Sequence, residues 1–366
     1  MKSSYKPINE LVERIDIRNS DGNAAILMGL SIDKCFIRSV ANTVGTDLTK
    51  YKVICKNQFA VSLMQVSRDS KIPVACFREC DRAIMSPAYS IFQVVDESVV
   101  LPDYLDMWFK RPEFDREAAF IAVGGVRGSM PWEEFARIKV CVPSLERQKE
   151  IVDAYKAVNE RIYIKQQLND NLDATIYAKF QDMFQKNKEI LFSGEQLEDW
   201  CIKPLSFLAD FKYGKMATSE ILCEKGFPVY SGYRIVGYCN KYMFKEPQLV
   251  VLARGVSGTG EVRISPPCCH LTNLSIAVLL YDRTYINYLL YYLENDNLIS
   301  LDSGSAQSQI TINNLSMHKV MLPPYSKVVE FDNIAKQLRS IIDENNKEIE
   351  VLEELKKVLL TTISSR

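Results

Sequence analysis

Cysteine and histidine are the residue types whose spacing would mark a zinc site, and they are also common as nucleophile and base. The ten cysteines are scattered without a C-x-x-C pair, and the only histidines are His270 and His318. A zinc site needs several such ligands with paired spacings, so we expect none here. The thiols are better explained as reduced and mostly buried. Two histidines also leave little room for a Ser-His-Asp or Cys-His arrangement.

Two further segments are superficially similar to catalytic or cofactor-binding loops. Leu322-Pro323-Pro324-Tyr325 is close to the Asn/Asp-Pro-Pro-Tyr loop of amino-methyltransferases, but leucine replaces the polar residue that would hold the target amine. The glycine-rich segment from Arg254 to Gly260 lacks the Gly-Lys-Ser/Thr of a Walker loop, and a strand rather than a helix is predicted after it. Its amides, with Arg254 and Ser257, could contact a DNA phosphate or base edge, or the segment could be an ordinary hairpin turn.

The composition predicts a two-domain soluble protein. The chain has 366 residues, 47% hydrophobic and 25% charged, with a net charge of −1. We expect a cytoplasmic protein without membrane contact, because no apolar run reaches the ~18 residues of a membrane span and no signal peptide is recognisable. Nine basic against four acidic residues lie from Lys34 to Arg82, and nine against five from Lys203 to Arg263. This is a weak electrostatic indication of DNA binding, and a solvated surface explains it nearly as well.

The chain contains one architecture twice. Lys139-Val140-Cys141-Val142-Pro143 recurs 180 residues later as Lys319-Val320-Met321-Leu322-Pro323. A mixed, strand-like region precedes each copy, and a long segment with helical periodicity follows it. The predicted fold is therefore α+β, with two tandem β-rich globular domains separated by two long helices. The predicted segments are domain 1 (1–143), the central helix (144–186), domain 2 (187–324) and the C-terminal helix (325–366).

The two long helices carry heptad patterns that predict pairing as an antiparallel coiled coil. Each pattern has an asparagine at its third turn, and a lone polar residue in such a seam fixes the register. The predicted seam residues are Tyr155, Ile162, Asn169 and Ile176 in the first helix and Leu338, Asn345, Leu352 and Leu359 in the second. A companion series in the second helix is Ile334, Ile341, Glu348, Leu355 and Thr362. Because Lys165 and Lys179 interrupt the first seam, the alternative of two amphipathic helices on separate surfaces stays open.

The repeat and a set of short sequence phrases resemble the specificity (S) subunit of type I restriction-modification enzymes. The resemblance depends on the order of the phrases along the chain and on their occurrence in both halves. The phrases are Ser86-Pro87-Ala88-Tyr89-Ser90-Ile91-Phe92, Phe227-Pro228-Val229-Tyr230-Ser231-Gly232, Gly237-Tyr238, Arg254-Gly255-Val256-Ser257-Gly258, Thr272-Asn273 and the end of domain 2. The resemblance implies that each globular domain is a target recognition domain. Each would read one half of an interrupted sequence in double-stranded DNA, with the helix pair as spacer.

The resemblance also implies a chain without catalytic function of its own. It would dock two methyltransferase subunits and, in systems that contain one, a restriction and translocation subunit. We expect this chain to bind no cofactor, since S-adenosylmethionine, ATP and Mg²⁺ would belong to those partners. One departure concerns the family's Pro-Pro-Leu-x-x-Gln run, which keeps its glutamine at Gln148 but has Val328 in the second copy. This puts the equivalence of the two docking surfaces in doubt.

Basic, aromatic and hydroxyl side chains in the globular domains are the candidates for DNA contact. They are Arg68, Lys71, Arg78 and Arg82 in domain 1, and Lys215, Tyr233, Arg234, Arg254, Ser257 and Arg263 in domain 2. The alternative function, from a different class, is a coiled-coil scaffold whose β-rich domains bind proteins. An autonomous nuclease or methyltransferase is disfavoured by the missing motifs.

Overall fold

The fold is described from a computed structural model, which covers residues 4–39, 45–64, 66–124, 128–193, 197–255, 258–302 and 309–363. The chain forms two compact units. Unit 1 comprises Met1–Lys165 and Lys347–Arg366, and unit 2 comprises Gln166–Asn346. The predicted segments treated the long helices as separate from the globular domains. In the structure, each long helix instead contributes one part to each unit.

The described residues of unit 1 form ten strands in three antiparallel or mixed sheets. They are β1 (Ser4–Pro7), β2 (Val12–Ile15), β3 (Leu27–Leu30), β4 (Phe36–Arg38), β5 (Lys52–Cys55), β6 (Phe59–Val61), β7 (Val74–Cys76), β8 (Arg82–Met85), β9 (Ser90–Val94) and β10 (Lys139–Val142). The central sheet has the order β2-β9-β6-β7, and a second sheet has the order β4-β3-β8-β5. β1 pairs with β10, so the first and last strands of the domain are neighbours.

The helices of unit 1 cover its central sheet. They are α1 (Val66–Asp69), α2 (Pro102–Phe109), α3 (Pro112–Ile121), α4 (Trp132–Arg137) and the first part of α5 (Leu145–Phe180). Proline stands at the first position of α2 and α3, where its missing N–H costs no hydrogen bond. The aromatic rings of α2, α3 and α4 fill the core, where Phe109 and Phe135 are fully buried.

Unit 2 repeats this plan, and its described residues also form ten strands. After α5, a π-helical turn (Gln181–Gln185) leads into α6 (Lys186–Phe192), so the helix extends past the predicted boundary at 186. The strands are β11 (Cys201–Pro204), β12 (Ala209–Tyr213), β13 (Leu222–Cys223), β14 (Phe227–Tyr230), β15 (Ile235–Cys239), β16 (Leu249–Leu252), β17 (Val262–Ile264), β18 (His270–Leu271), β19 (Ser275–Leu280) and β20 (Lys319–Leu322). The helices that follow are α7 (Tyr285–Asn295), α8 (Ile312–Met317) and α9 (Tyr325–Thr362).

The doubling predicted from the sequence is confirmed in strand order and in single hydrogen bonds. The central sheet of unit 2, β12-β19-β16-β17, has the same order as that of unit 1, and β11 pairs with β20 as β1 does with β10. The buried Tyr104 hydroxyl donates to the carbonyl of Cys141 at 2.8 Å. In unit 2, Tyr288 donates in the same way to Met321 at 2.7 Å.

The two copies differ where the long helices begin. Gln148 is fully buried at the start of α5; its amide nitrogen donates to the carbonyls of Val99 and Pro143, both at 2.9 Å, and its oxygen accepts from the amide of Leu101. This side chain therefore ties α5 to the start of α2. Val328 at the start of α9 is also buried, but it packs in the hydrophobic core of unit 2 and cannot form the hydrogen bonds that Gln148 forms.

The long helices pair antiparallel within each unit, and the α+β fold with a helix pair is confirmed. Of the predicted seam residues, Tyr155, Ile162, Ile176 and Asn345 are buried, whereas Asn169, Leu338, Leu352 and Leu359 are half-buried. In unit 1, Lys165 extends its ammonium group to 2.8 Å from Glu348, which accounts for a lysine in the seam. The companion series is wrong at Ile341 and Leu355, which are exposed. A straight helix drifts by about 20° per heptad, and this drift turns them outward.

In unit 2 the two seam asparagines bond to each other. The Asn345 amide donates to Asn169 Oδ1 at 2.8 Å, and Asn169 donates to Asn346 at 2.9 Å. We expect Asn345→Ala to lower the free energy of unfolding by about 1–2 kcal/mol, because it leaves Asn169 without this partner. Urea titration measures the change. Asn171→Ala is the matched control, since Asn171 is exposed on the same helix as Asn169 and a loss of only a few tenths of a kcal/mol is expected.

None of the helices in the described ranges has a stretch that is both long and apolar enough to cross a lipid bilayer.

Candidate nucleic-acid interface

Four turns of unit 2 meet along one side of its sheets, and we call them the loop edge: residues 214–215, 231–234, 253–255 and 272–274. Hydrogen bonds between the turns hold them together. The amide of Lys215 donates to the carbonyl of Leu271 at 2.8 Å, and the amide of Arg254 donates to Leu274 at 3.1 Å. The hydroxyl of Ser275 donates to the carbonyl of Ser231 at 2.9 Å. Side chains that are distant in sequence therefore reach one surface.

Two glycines allow the backbones of the loop edge to approach this closely. A Cβ atom on Gly214 would lie 2.0 Å from the carbonyl oxygen of Thr272. Gly232 has a φ of +110°, and a Cβ there would lie 2.3 Å from Ser275 Oγ. Any other residue at either position would push the turns apart. The glycine that ends the phrase Phe227-Pro228-Val229-Tyr230-Ser231-Gly232 thus has a structural reason.

The loop edge collects four of the predicted DNA-contacting residues of domain 2. The side chains of Lys215, Tyr233, Arg234 and Arg254 are all exposed there. The guanidinium of Arg234 lies 5.8 Å from the centre of the Tyr233 ring. Within the described part of the chain, no carboxylate forms an ion pair with Lys215, Arg234 or Arg254. Their positive charge is therefore available to a phosphate or a base edge.

The other two candidates of domain 2 stand apart from this group. Ser257 lies outside the residues that the structure describes. Arg263, on β17, forms ion pairs with Glu261 at 2.9 Å and with Glu294 at 3.0 Å. Burial raises the pKa of Glu294, although the positive charges of Arg263 and Arg339 oppose the rise. Arg263 thus compensates carboxylates of its own unit.

All four candidates of domain 1 are engaged with aspartates. The pairs are Arg68 with Asp69 at 2.9 Å, Lys71 with Asp33 at 3.2 Å, Arg78 with Asp103, and Arg82 with Asp21 at 3.2 Å. Most of the partners are exposed or half-exposed, so each pair contributes little to stability. Each pair does reduce the positive charge that the domain can offer to DNA. Unit 1 thus differs from unit 2 in this respect.

Sequence reasoning missed the basic residues at the matching place in unit 1. Arg18 follows β2 as Lys215 follows β12, and its guanidinium donates to the carbonyl of Lys50 at 2.8 Å and pairs with Asp16 at 3.1 Å. Lys50 is highly exposed beside it. The signal was available in the repeat itself, because both positions lie just past the second strand of their domain.

The structure also gives the glycine-rich segment and the two histidines structural roles. The glycine-rich segment after β16 connects it to the antiparallel strand β17, so it is a hairpin connection and not a phosphate loop before a helix. The imidazole of His270 is hydrogen-bonded to the carbonyl of Lys215 at 3.0 Å, and His318 pairs with Asp296 at 2.9 Å. In the described ranges, no three histidine, cysteine, aspartate or glutamate side chains come together as a metal site.

Comparison with known proteins found a family model that matches part of the chain and solved structures with a similar fold. Residues 197–356 match the type I restriction modification DNA specificity domain. The S subunit of a type I restriction-modification system from M. genitalium has a similar fold, at 15% sequence identity and a TM-score of 0.60 over 99% of this chain and 96% of that one. A structure from work on complex assembly and conformational transition of the type I R-M system is similar at 16% identity and a TM-score of 0.51, over 99% and 97% of the two chains. The search of curated proteins gave no significant match.

Proposed function

We propose that this chain, whose residues 197–356 match the type I restriction modification DNA specificity domain and whose fold is similar to that of an S subunit, reads a bipartite sequence in double-stranded DNA. Each globular domain reads one half-site, and the helix pair sets the number of base pairs between them. The observation that carries the proposal is the loop edge of unit 2. There, three cations without carboxylate partners among the described residues and an exposed tyrosine converge on one surface.

This chemistry suits DNA better than a protein partner. Exposed lysine and arginine contact phosphates and fix the position of a protein on the duplex, and arginine can also donate to guanine in the major groove. Turns held rigid by hydrogen bonds present such groups without a large loss of entropy on binding. The family match covers this domain, and the repeated architecture extends the same role to domain 1.

The partners we propose are two methyltransferase subunits and, in systems that contain one, a restriction and translocation subunit. In unit 1, the paired helices expose apolar side chains away from their seam. These side chains are Tyr163 and Ile164 on α5 and Val351, Leu355 and Val358 on α9. The spacing of the last three places them on one face of α9. Such exposed apolar residues fit a docking surface for a partner subunit.

The proposal assigns the chemistry to the partners and the choice of sequence to this chain. S-adenosylmethionine, ATP and Mg²⁺ would bind to the partner subunits and not to this chain. Because the substrate is chromosomal DNA, the complex would work in the cytoplasm.

The experiment that tests the function is a methylome. The chain is expressed with the methyltransferase encoded beside it in a host without DNA methylation, and modified adenines are mapped by single-molecule sequencing. A two-part motif with a constant gap supports the proposal and gives both half-sites. A stable complex that leaves the DNA unmethylated would contradict DNA reading, and absence of any complex would favour a scaffold function.

Exchange of one domain is expected to change one half-site only. When residues 1–143 are replaced by those of another S subunit, the methylated motif should change in one part and keep the other. The strand pair β1–β10 supports this design, because both strands lie within the exchanged segment and the single junction, after Pro143, falls just before α5. A methylated motif that changed in both parts would contradict the proposal that each domain recognises one half-site independently.

Lengthening the helix pair is expected to widen the gap in the motif. Seven residues inserted after Lys165 in α5, with seven after Asn346 in α9, add about 10 Å of helix, or about three base pairs. The methylome of this variant should show unchanged half-sites and a longer gap. The matched control inserts seven residues directly after Ser193, beyond the end of α6, where the gap should stay constant.

A further inference from the structure

Strand β15 of unit 2 exposes apolar side chains that the interior does not use. Ile235 and Val236 are 48% and 51% exposed, and Tyr238 is 42% exposed. Successive residues of a regular strand point to opposite faces, so one of the first two should face the core. Neither Ile235 nor Val236 faces the core, because the pairing of β15 with β14 shifts register at these residues.

The register shift is a β-bulge at Val236. Val229 pairs with Gly237, but the next residue, Tyr230, pairs with Ile235, which leaves Val236 as the extra residue. A bulge of this kind redirects side chains and is common beside functional sites. Here it turns two β-branched side chains outward together, directly after the loop-edge residues Tyr233 and Arg234.

The sequence segment that contains this strand is positively charged. Residues 212–245 contain six basic residues, Lys212, Lys215, Lys225, Arg234, Lys241 and Lys245, against the two acidic residues Glu220 and Glu224. An apolar strip within such a field matches a ligand that combines negative charge with small apolar groups. The major groove of DNA has both, since phosphates line it and each thymine presents a C5-methyl group. A strand pair of this width also fits into the major groove.

We propose that Ile235 and Val236 read the C5-methyl groups of thymines in the half-site bound by domain 2. This inference rests on the proposed function and adds a basis for base selection to it. The cations of the loop edge hold the duplex by its phosphates, and the bulged strand contacts the methyl groups. In unit 1 the matching hairpin, β3–β4, differs at its tip. There Lys34 is buried and bonded to Asp115, so the hairpin is held against α3.

Replacing thymine by deoxyuridine tests the proposal, because uracil lacks only the methyl group. The duplex carries the two-part motif from the methylome, and its domain 2 half-site, assigned by the domain exchange, is made with thymine or with deoxyuridine. The complex of the chain with its methyltransferase is titrated with both. Binding should weaken about fourfold for each methyl group that the strand contacts.

The variant Val236→Thr keeps the side-chain shape and the strand preference but adds a hydroxyl. It should bind the thymine duplex more weakly and lose much of the discrimination against deoxyuridine. Ile37→Thr is the matched control on β4, where the side chain is 50% exposed. It should leave the discrimination in the domain 2 half-site unchanged.

Three outcomes would overturn the proposal. Equal binding of thymine and deoxyuridine duplexes by the unmodified complex removes methyl reading but leaves specific DNA binding intact. Loss of the methyltransferase subunit from the Val236→Thr complex, with unchanged discrimination by the complex that remains, would make the strip a protein interface. A complex that binds neither duplex would remove the proposed function as well.

Discussion

Replacing Lys215, Arg234 and Arg254 together by glutamine is expected to lower the affinity of the complex for its target DNA by at least about a hundredfold. All three side chains are exposed on the loop edge, and no carboxylate in the described part of the chain compensates them. Each cation that neutralises a phosphate releases counterions on binding. The affinity of the variant should therefore depend less steeply on salt, with the slope of log K against log salt reduced by up to about three.

Fluorescence anisotropy across a salt series measures both quantities. Arg263→Gln is the matched control in the same unit, because that arginine already pairs with Glu261 and Glu294. The control should change the salt slope by less than one. If Arg263→Gln weakened DNA binding as much as the triple variant does, the assignment of the interface to the loop edge would be wrong.

Asp115→Ala is expected to destabilise unit 1 by about 3–5 kcal/mol. The Lys34 ammonium is almost completely buried and lies 2.8 Å from Asp115. Asp115 also accepts a hydrogen bond from the amide of Ile72 at 3.1 Å. Removing the carboxylate leaves a buried positive charge without its counterion. The double variant Lys34→Met/Asp115→Ala should recover most of the loss, because an apolar side chain has no charge to compensate.

The pH dependence of unfolding distinguishes this mechanism from a simple loss of packing. Burial lowers the pKa of Lys34 from 10.5, and Asp115 opposes the shift. Without Asp115 the pKa falls further, so folded Lys34 binds fewer protons than unfolded Lys34 over a wider pH range. Stability of Asp115→Ala should therefore rise with pH up to about 10.5, more steeply than in the unmodified chain. Parallel urea midpoints for both proteins between pH 7 and 10 would contradict the assignment.

Much of the fold could be predicted because its signals are local. Proline at the first position of α2 favours a helix start there, and β16 and β19 consist of largely apolar runs, which favour buried strands. The repeated sequence of β10 and β20, the last strand of each domain, predicted that the architecture occurs twice. The heptad spacing predicted the helix pair, although it could not show the drift that exposes Ile341 or the π-helical turn after Phe180.

The interface was harder to predict, because the state of a cation depends on residues far away in sequence. Lys71 and its partner Asp33 are 38 residues apart, and Arg82 and Asp21 are 61 apart. Lys34 contributed to the positive charge of its segment in the sequence but is buried in the fold. The sequence around Lys215 and Arg254 has no feature that distinguishes these two exposed cations from Arg263, which pairs with carboxylates. Only the hydrogen bonds between turns bring the first two to one surface.

The division of α9 between the two units has a consequence for synthesis of the protein. Leu360 and Ile363 are buried in the core of unit 1 together with Val152 and Tyr155. The ribosome therefore synthesises every residue of unit 2 before it synthesises the last segment of unit 1. Domains usually complete their folding in the order of translation, the first one earliest. Here unit 1 cannot complete its apolar core until the end of α9 has been synthesised, after all of unit 2.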